Sequence, residues 1–292
     1  MSKKPVSKTH NIAEWYGREF SGLSAETIRE LAAVGSPKSM DCPFSEGPCS
    51  KRNGVCSLRP YEQTDEHRWS IADENIAATC PRRFFENGEI IRWIGDVLID
   101  DPNPDVVVEV PFLEGIAHDG SSTGKKVGKI DMVLANREGG PFRWCAVEIQ
   151  AVYFSGTEMG KECKFLKTWH GVGIPPPQGR RHPDFRSSGP KRLMPQLQIK
   201  VPTLSRWGRK MAVVIDRPFW ESLSPMDEVE DMSNSDVAWF VVKFVSGEEG
   251  RLSLVRDGVH FTTLSRAVEG LTAGKPVALS EFEQGIRKKL GR

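Results

Sequence analysis

Two acidic side chains sit in segments that otherwise read as buried strands. Residues 129–134 carry Asp131 among Ile130, Met132, Val133 and Leu134; residues 143–152 carry Glu148 among Ala146, Val147 and Ile149. A carboxylate withdrawn from water is costly unless something pairs with it. The chain must therefore give both acids a compensating partner or leave them wet. Strand alternation puts Lys129, Asp131 and Val133 on one face, and Glu148 and Gln150 on the face of Ala146. The sequence Arg-Glu-Gly-Gly at 137–140 reads as the turn between the two strands. With Asn136 facing Pro141, Asp131 lies opposite Ala146 and diagonal to Glu148, near enough for both acids to hold one ion. A one-residue slip would put them on opposite faces. Mg²⁺ prefers such hard oxygen ligands and retains waters; it can activate water and offset the charge of a phosphate under attack. Asp131, Glu148 and Gln150 are thus the candidate catalytic residues, the two acids being the candidate Mg²⁺ ligands. The competing reading leaves either acid facing solvent or a base such as Lys129.

The remaining pattern gives the frame. Residues 1–12 are polar and read as a frayed tail in which Lys3, Lys4 and Lys8 are solvated. Ser24 is placed to cap a helix through Ala32. Residues 41–60 lack periodicity and read as irregular loops. Helical spacing runs from Pro81 to Leu98, with Glu86 expected as a solvated acid on that helix. Strands are expected at 106–110, 129–134, 143–152, 211–215, 237–245 and 251–256, and helices at 196–206, 263–272 and 281–289, the last opened by a capping box of Ser280 and Glu283. Residues 155–192, with three consecutive prolines and many basic side chains, read as a long excursion. This order predicts an α/β or α+β domain, a mixed β-sheet flanked by helices. It divides into an N-terminal segment over 1–80 and a catalytic unit over 81–292.

Cys42, Cys49, Cys56 and Cys80 are separated by six, six and 23 residues, each beside Pro or Gly or in a loop-forming stretch. Four thiolates around one ion make a closed structural site, and both Zn and Fe suit sulfur. Two disulfides or buried free thiols are the alternatives. No apolar run of about 18 residues is present. That points to a cytoplasmic protein, where clustered cysteines bind metal more often than they oxidise. Cys145 alternates into an apolar strand face and reads as core, and Cys163 lies outside the cluster. The net charge of +1 does not announce a nucleic-acid partner. Residues 180–192, however, set Arg180, Arg181, Arg186, Lys191 and Arg192 against Asp184. Arginine can bond guanine bidentately, and both cations neutralise phosphate. An ordinary basic surface loop, with His170 and His182 as plain loop histidines, is the alternative.

Asp131, a 16-residue spacer and Glu148-Ile149-Gln150 resemble the PD-(D/E)xK nuclease core, with Gln150 where that core usually has lysine and Ile130 where it has proline. With the four-cysteine segment ahead of it, the chain resembles the NotI branch of type II restriction endonucleases over about residues 40–216. The resemblance implies Mg²⁺ on Asp131 and Glu148, and iron on the four cysteines. It also implies a homodimer and double-stranded DNA with a GC-rich palindromic target. Gln150 cannot supply positive charge, so Lys129 or Lys200 is expected to replace the missing lysine. A repair nuclease with the same core, or a metal-stapled DNA-binding protein with an inactive core, are the other readings.

Overall fold

The computed structural model describes residues 8–64, 68–137, 140–272, 274 and 277–291; Lys3 and Lys4 lie outside them. The central sheet has six strands in the order Leu252–Thr262, Val237–Ser246, Met211–Asp216, Trp144–Ile149, Ser122–Ala135 and Asp105–Ile116. Both neighbours of Met211–Asp216 run parallel to it, and the other pairs are antiparallel. The central strands are apolar on both faces because both faces are covered. On one face, Ile90, Trp93 and Ile94 of the Glu89–Ile99 helix pack with Val147, Ala212, Val214 and Phe240. On the other, Leu197, Val201 and Leu204 of the Met194–Arg206 helix pack with Val133, Ala146, Val213 and Trp239. The expected mixed α+β sheet flanked by helices is the fold observed, and Pro202 lies inside the second helix without ending it.

Several local expectations are corrected. Lys8–Trp15 is a strand, antiparallel to Val55–Gln63 in a second sheet, so neither the tail reading of 8–12 nor the loop reading of 55–60 holds. The cause is polar residues buried with partners: Asn11 is fully buried and donates to Glu162, and the Arg181 N–H donates to the Thr9 hydroxyl. The helix expected from Pro81 to Leu98 is broken. A 3₁₀ segment covers Pro81–Gly88, Asn87 and Gly88 take φ of 51° and 67°, and the α-helix begins at Glu89. Asn and Gly tolerate that left-handed backbone. Glu86 is not solvated: it accepts from Arg83 at 2.8 Å and from the Leu254 N–H at 2.6 Å. Ser24 does cap Ala25–Ala33 by accepting from the Thr27 N–H. The last helix starts at Leu279, so Ser280 falls inside it and makes no cap bond.

Two buried polar links fasten the N-terminal segment to the catalytic sheet. Asp216, fully buried at the end of its strand, accepts from the Phe219 N–H at 3.0 Å and from the Ala78 N–H at 2.8 Å. Burial pushes its carboxyl up to about 7, against the pull of those two amides. Arg83, also fully buried, bonds Glu14 at 2.6 Å and the Leu252 carbonyl at 2.9 Å, with its guanidinium 4.4 Å from the ring centres of Phe44 and Phe244. Asp216→Ala strands two amides without an acceptor and is expected to cost about 1–3 kcal/mol. Urea unfolding would read this, with Asp216→Asn, which keeps one acceptor, costing less; equal stability of Asp216→Ala and wild type would remove the link from the account.

Candidate active site

Asp131 and Glu148 come from neighbouring antiparallel strands. The ladder pairs Met132 with Val147 and Val133 with Ala146, and one step further along it Asp131 faces Glu148. The expected register, with Asp131 opposite Ala146, is off by two residues: Asn136 meets Arg143 rather than Pro141, its N–H donating to the Arg143 carbonyl. An even shift keeps both acids on one face and turns diagonal neighbours into directly opposed ones. That face is covered by the Met194–Arg206 helix, which sends Lys200 to them.

The Lys200 ammonium bonds Asp131 Oδ2 at 2.9 Å and Glu148 Oε2 at 2.7 Å. Lys200 is 3% exposed and Glu148 8%, whereas the Asp131 side chain is 66% exposed. Burial raises Glu148 to about 7, and the nearby Asp131 charge adds to it; Lys200 pulls the other way without winning. Burial likewise works against the Lys200 charge, but the two carboxylates outweigh it and hold the ammonium protonated, above the ordinary lysine range. One lysine between two acids leaves a negative charge uncompensated in a partly dry place. Lys129 pairs instead with Glu109 at 2.8 Å. Gln150 lies beside Glu148, 9% exposed; its side-chain amide donates to the Ala151 carbonyl at 2.6 Å, and its backbone N–H donates to the Val214 carbonyl.

A cavity of about 720 Å³ opens over Glu148 and Gln150. Lys51 and Arg52 contribute to its lining from the cysteine-rich segment, Lys191 and Arg192 from the run leading into the Met194–Arg206 helix, and Gln196 from the first turn of that helix. Arg192 lies 3.8 Å over the Tyr153 ring. Lys51, Arg52 and Gln196 escaped the sequence reading; only the nearness of Lys51 to Cys49 hinted at them.

The basic excursion is less uniform than its composition. Arg180, Arg186 and Lys191 are exposed. Arg181 is 4% exposed and its guanidinium is committed to Glu162 at 3.0 Å and to the Thr157 carbonyl at 2.8 Å, which joins the excursion to Asn11 and leaves it no free donor face for DNA. His182 bonds Ser155 at 2.8 Å and His170 meets Arg29 at 3.1 Å.

None of the six cysteines is joined in a disulfide. Cys145 is core, with burial lifting its thiol to about 12. Cys49, Cys56 and Cys80 are buried and Cys42 half-buried. The Cys42 N–H donates to Gly47 and the Cys49 N–H to Met40, and Cys80 stacks against Cys56 through an N–H bond to its carbonyl. Burial raises the Cys80 thiol, and the Cys42 and Cys49 charges add to this against the pull of the Arg82 N–H and Lys51. Among the described residues, no group of three or more His, Cys, Asp or Glu is gathered at metal-holding spacing.

The sequence model of the family described as restriction endonuclease NotI matches residues 26–254, a span that holds the carboxylate pair, Lys200, the cavity and the cysteine segment. No curated protein matches the chain. No described helix is long and apolar enough to cross a membrane. A family match over most of the chain, enclosing a facing acid pair and a cavity with basic lining, places this protein in the NotI restriction endonuclease family, whose members are type II site-specific deoxyribonucleases acting on DNA.

Proposed function

We propose that Asp131 and Glu148 hold the Mg²⁺ of a PD-(D/E)xK-type centre and that Lys200 supplies the cation which Gln150 cannot. The observation that carries this is the Lys200 ammonium bonded to both carboxylates. The residues fit the ion: two hard oxygen donors face each other, and Glu148 would ionise only near 7 because burial, with the Asp131 charge added, outweighs the pull of Lys200. When bound, Mg²⁺ acts as a Lewis acid on the scissile phosphate and lowers the pKa of a bound water. Lys200 keeps a proton and a positive charge beside the acids, which suits it to orient water or offset phosphate charge. Gln150 positions the end of the Glu148 strand through the Ala151 carbonyl. Lys51, Arg52, Lys191 and Arg192 line the cavity with positive charge suited to the DNA backbone, and the exposed Arg180 and Arg186 are the candidates for contacts further out. A GC-rich palindromic target, read by two copies of the chain in the cytoplasm, completes the reading; two-fold DNA matches a two-fold protein.

The four cysteines fit a structural Fe or Zn ion in donor chemistry, since thiolate sulfur suits both metals. Backbone N–H groups of Phe44, Gly17 and Arg82 also reach Cys42, Cys56 and Cys80 and favour the thiolate. Such an ion would tie the loop at 42–49 to the strand at 56 and to the start of the catalytic unit at 80.

Three outcomes are expected. Asp131→Ala and Glu148→Ala abolish Mg²⁺-dependent cleavage of phage DNA with the far-ultraviolet spectrum unchanged, and Lys200→Ala lowers turnover by about 10²–10⁴-fold; cleavage retained by all three would move the site elsewhere. The carboxyl of Glu148 has to ionise to bind a cation, so Mg²⁺ affinity at fixed ionic strength rises as pH climbs through about 7. Lys200→Met, which withdraws the charge that holds the carboxyl down, moves that rise to higher pH; a midpoint at the ordinary glutamate value of 4.5 would contradict the burial argument. Cys49→Ser lowers the thermal midpoint and the metal content of purified protein together; loss of neither ends the staple reading.

A further inference from the structure

The Leu279–Lys289 helix begins 25 positions beyond the family-matched residues and buries none of its side chains. Leu279, Phe282, Ile286 and Leu290 are 72%, 60%, 43% and 62% exposed. Their spacing of three, four and four residues draws one apolar stripe along the helix. A helix of this length is marginal in water, and a mid-helix glycine such as Gly285 weakens it by roughly 1 kcal/mol relative to alanine. Packing through the stripe is what can hold it.

The stripe is close to symmetric end for end about a midpoint near Gln284 and Gly285. Turned end for end there, the helix brings Leu279 against Leu290 and sets Phe282 within one residue of Ile286. Glu283 and Arg287 lie one turn apart on the same flank of the stripe, and the same reversal brings each within one residue of the other. It also sets the acidic first turn, with Glu281, against the basic last turn of Arg287, Lys288 and Lys289. Shape and charge are thus self-complementary in the antiparallel sense, as an isologous interface requires. A membrane surface would be a poorer match, because acidic side chains border the stripe at one end.

We propose that this helix pairs antiparallel with the same helix of a second copy of the chain, across a two-fold axis. The inference rests on the two-copy reading above and gives it a surface outside the nuclease core. A tether of this kind raises the effective concentration of the second active site needed for the opposite DNA strand.

The test is sedimentation velocity and light scattering of the full-length protein over a wide concentration range, without DNA. Wild type is expected to dimerise. Phe282→Glu with Ile286→Glu weakens self-association by more than about tenfold, since it removes two apolar contacts from each copy. Glu283→Arg alone weakens it, and Glu283→Arg combined with Arg287→Glu restores it. A wild-type dimer that all these variants retain would overturn the helix interface and leave the two-copy reading standing. A wild-type monomer throughout would overturn both. A lowered thermal midpoint without a change of mass would mean that the stripe packs on its own chain, which also overturns the proposal.

Discussion

Two carboxylates facing each other on adjacent strands repel, and the Lys200 ammonium bonded to both is what makes the arrangement tolerable. Its ammonium reaches both acids only because the Met194–Arg206 helix is fixed on the sheet by Leu197, Val201 and Leu204. The geometry of the site is therefore set by apolar packing, and its electrostatics by what that packing buries. Glu148 is dried enough that its charge is disfavoured even beside a lysine, while Asp131 stays largely in water. One buried and one wet acid, with a lysine between them, is an unequal pair. A divalent cation would take its tightest hold on the dry partner and keep solvent on the other side.

The N-terminal segment supports this site through specific buried polar bonds. Asp216 ties Ala78 to the end of the strand next to Glu148, Arg83 ties Glu14 to Leu252, and Arg181 with Glu162 ties the excursion to Asn11. Breaking one side of such a bond leaves an unpaired group in the interior, which is why these links specify how the segments are placed. The cavity above Glu148 is built from the elements so placed, with Lys51 and Arg52 arriving from one direction and Lys191 and Arg192 from another.

The acid pair was legible because charged residues in apolar strands stand out, and the alternation of a strand fixes their face. Their register was not, since it depends on a turn whose backbone the residues at 137–140 do not dictate. The two-residue error left the faces unchanged and altered only which side chains oppose. Lys200 could be named but not chosen over Lys129, because its approach to Asp131 spans 69 positions and is decided by helix packing. Arg181 shows the opposite failure: composition counts it with an exposed basic stretch, while its partners Glu162, Thr157 and Asn11 are distant in sequence and bury it. The Lys8–Trp15 strand was hidden for the same reason, its buried Thr9 and Asn11 resembling a solvated tail until their partners are in place.

The most direct measurement is the anomalous scattering of crystals of the protein soaked in Mn²⁺ as a substitute for Mg²⁺. The account predicts a peak bound by both Asp131 and Glu148, with the Lys200 ammonium withdrawn from at least one of them. A peak elsewhere, with Lys200 still bridging the two carboxylates at the ion concentration that supports cleavage, would contradict it.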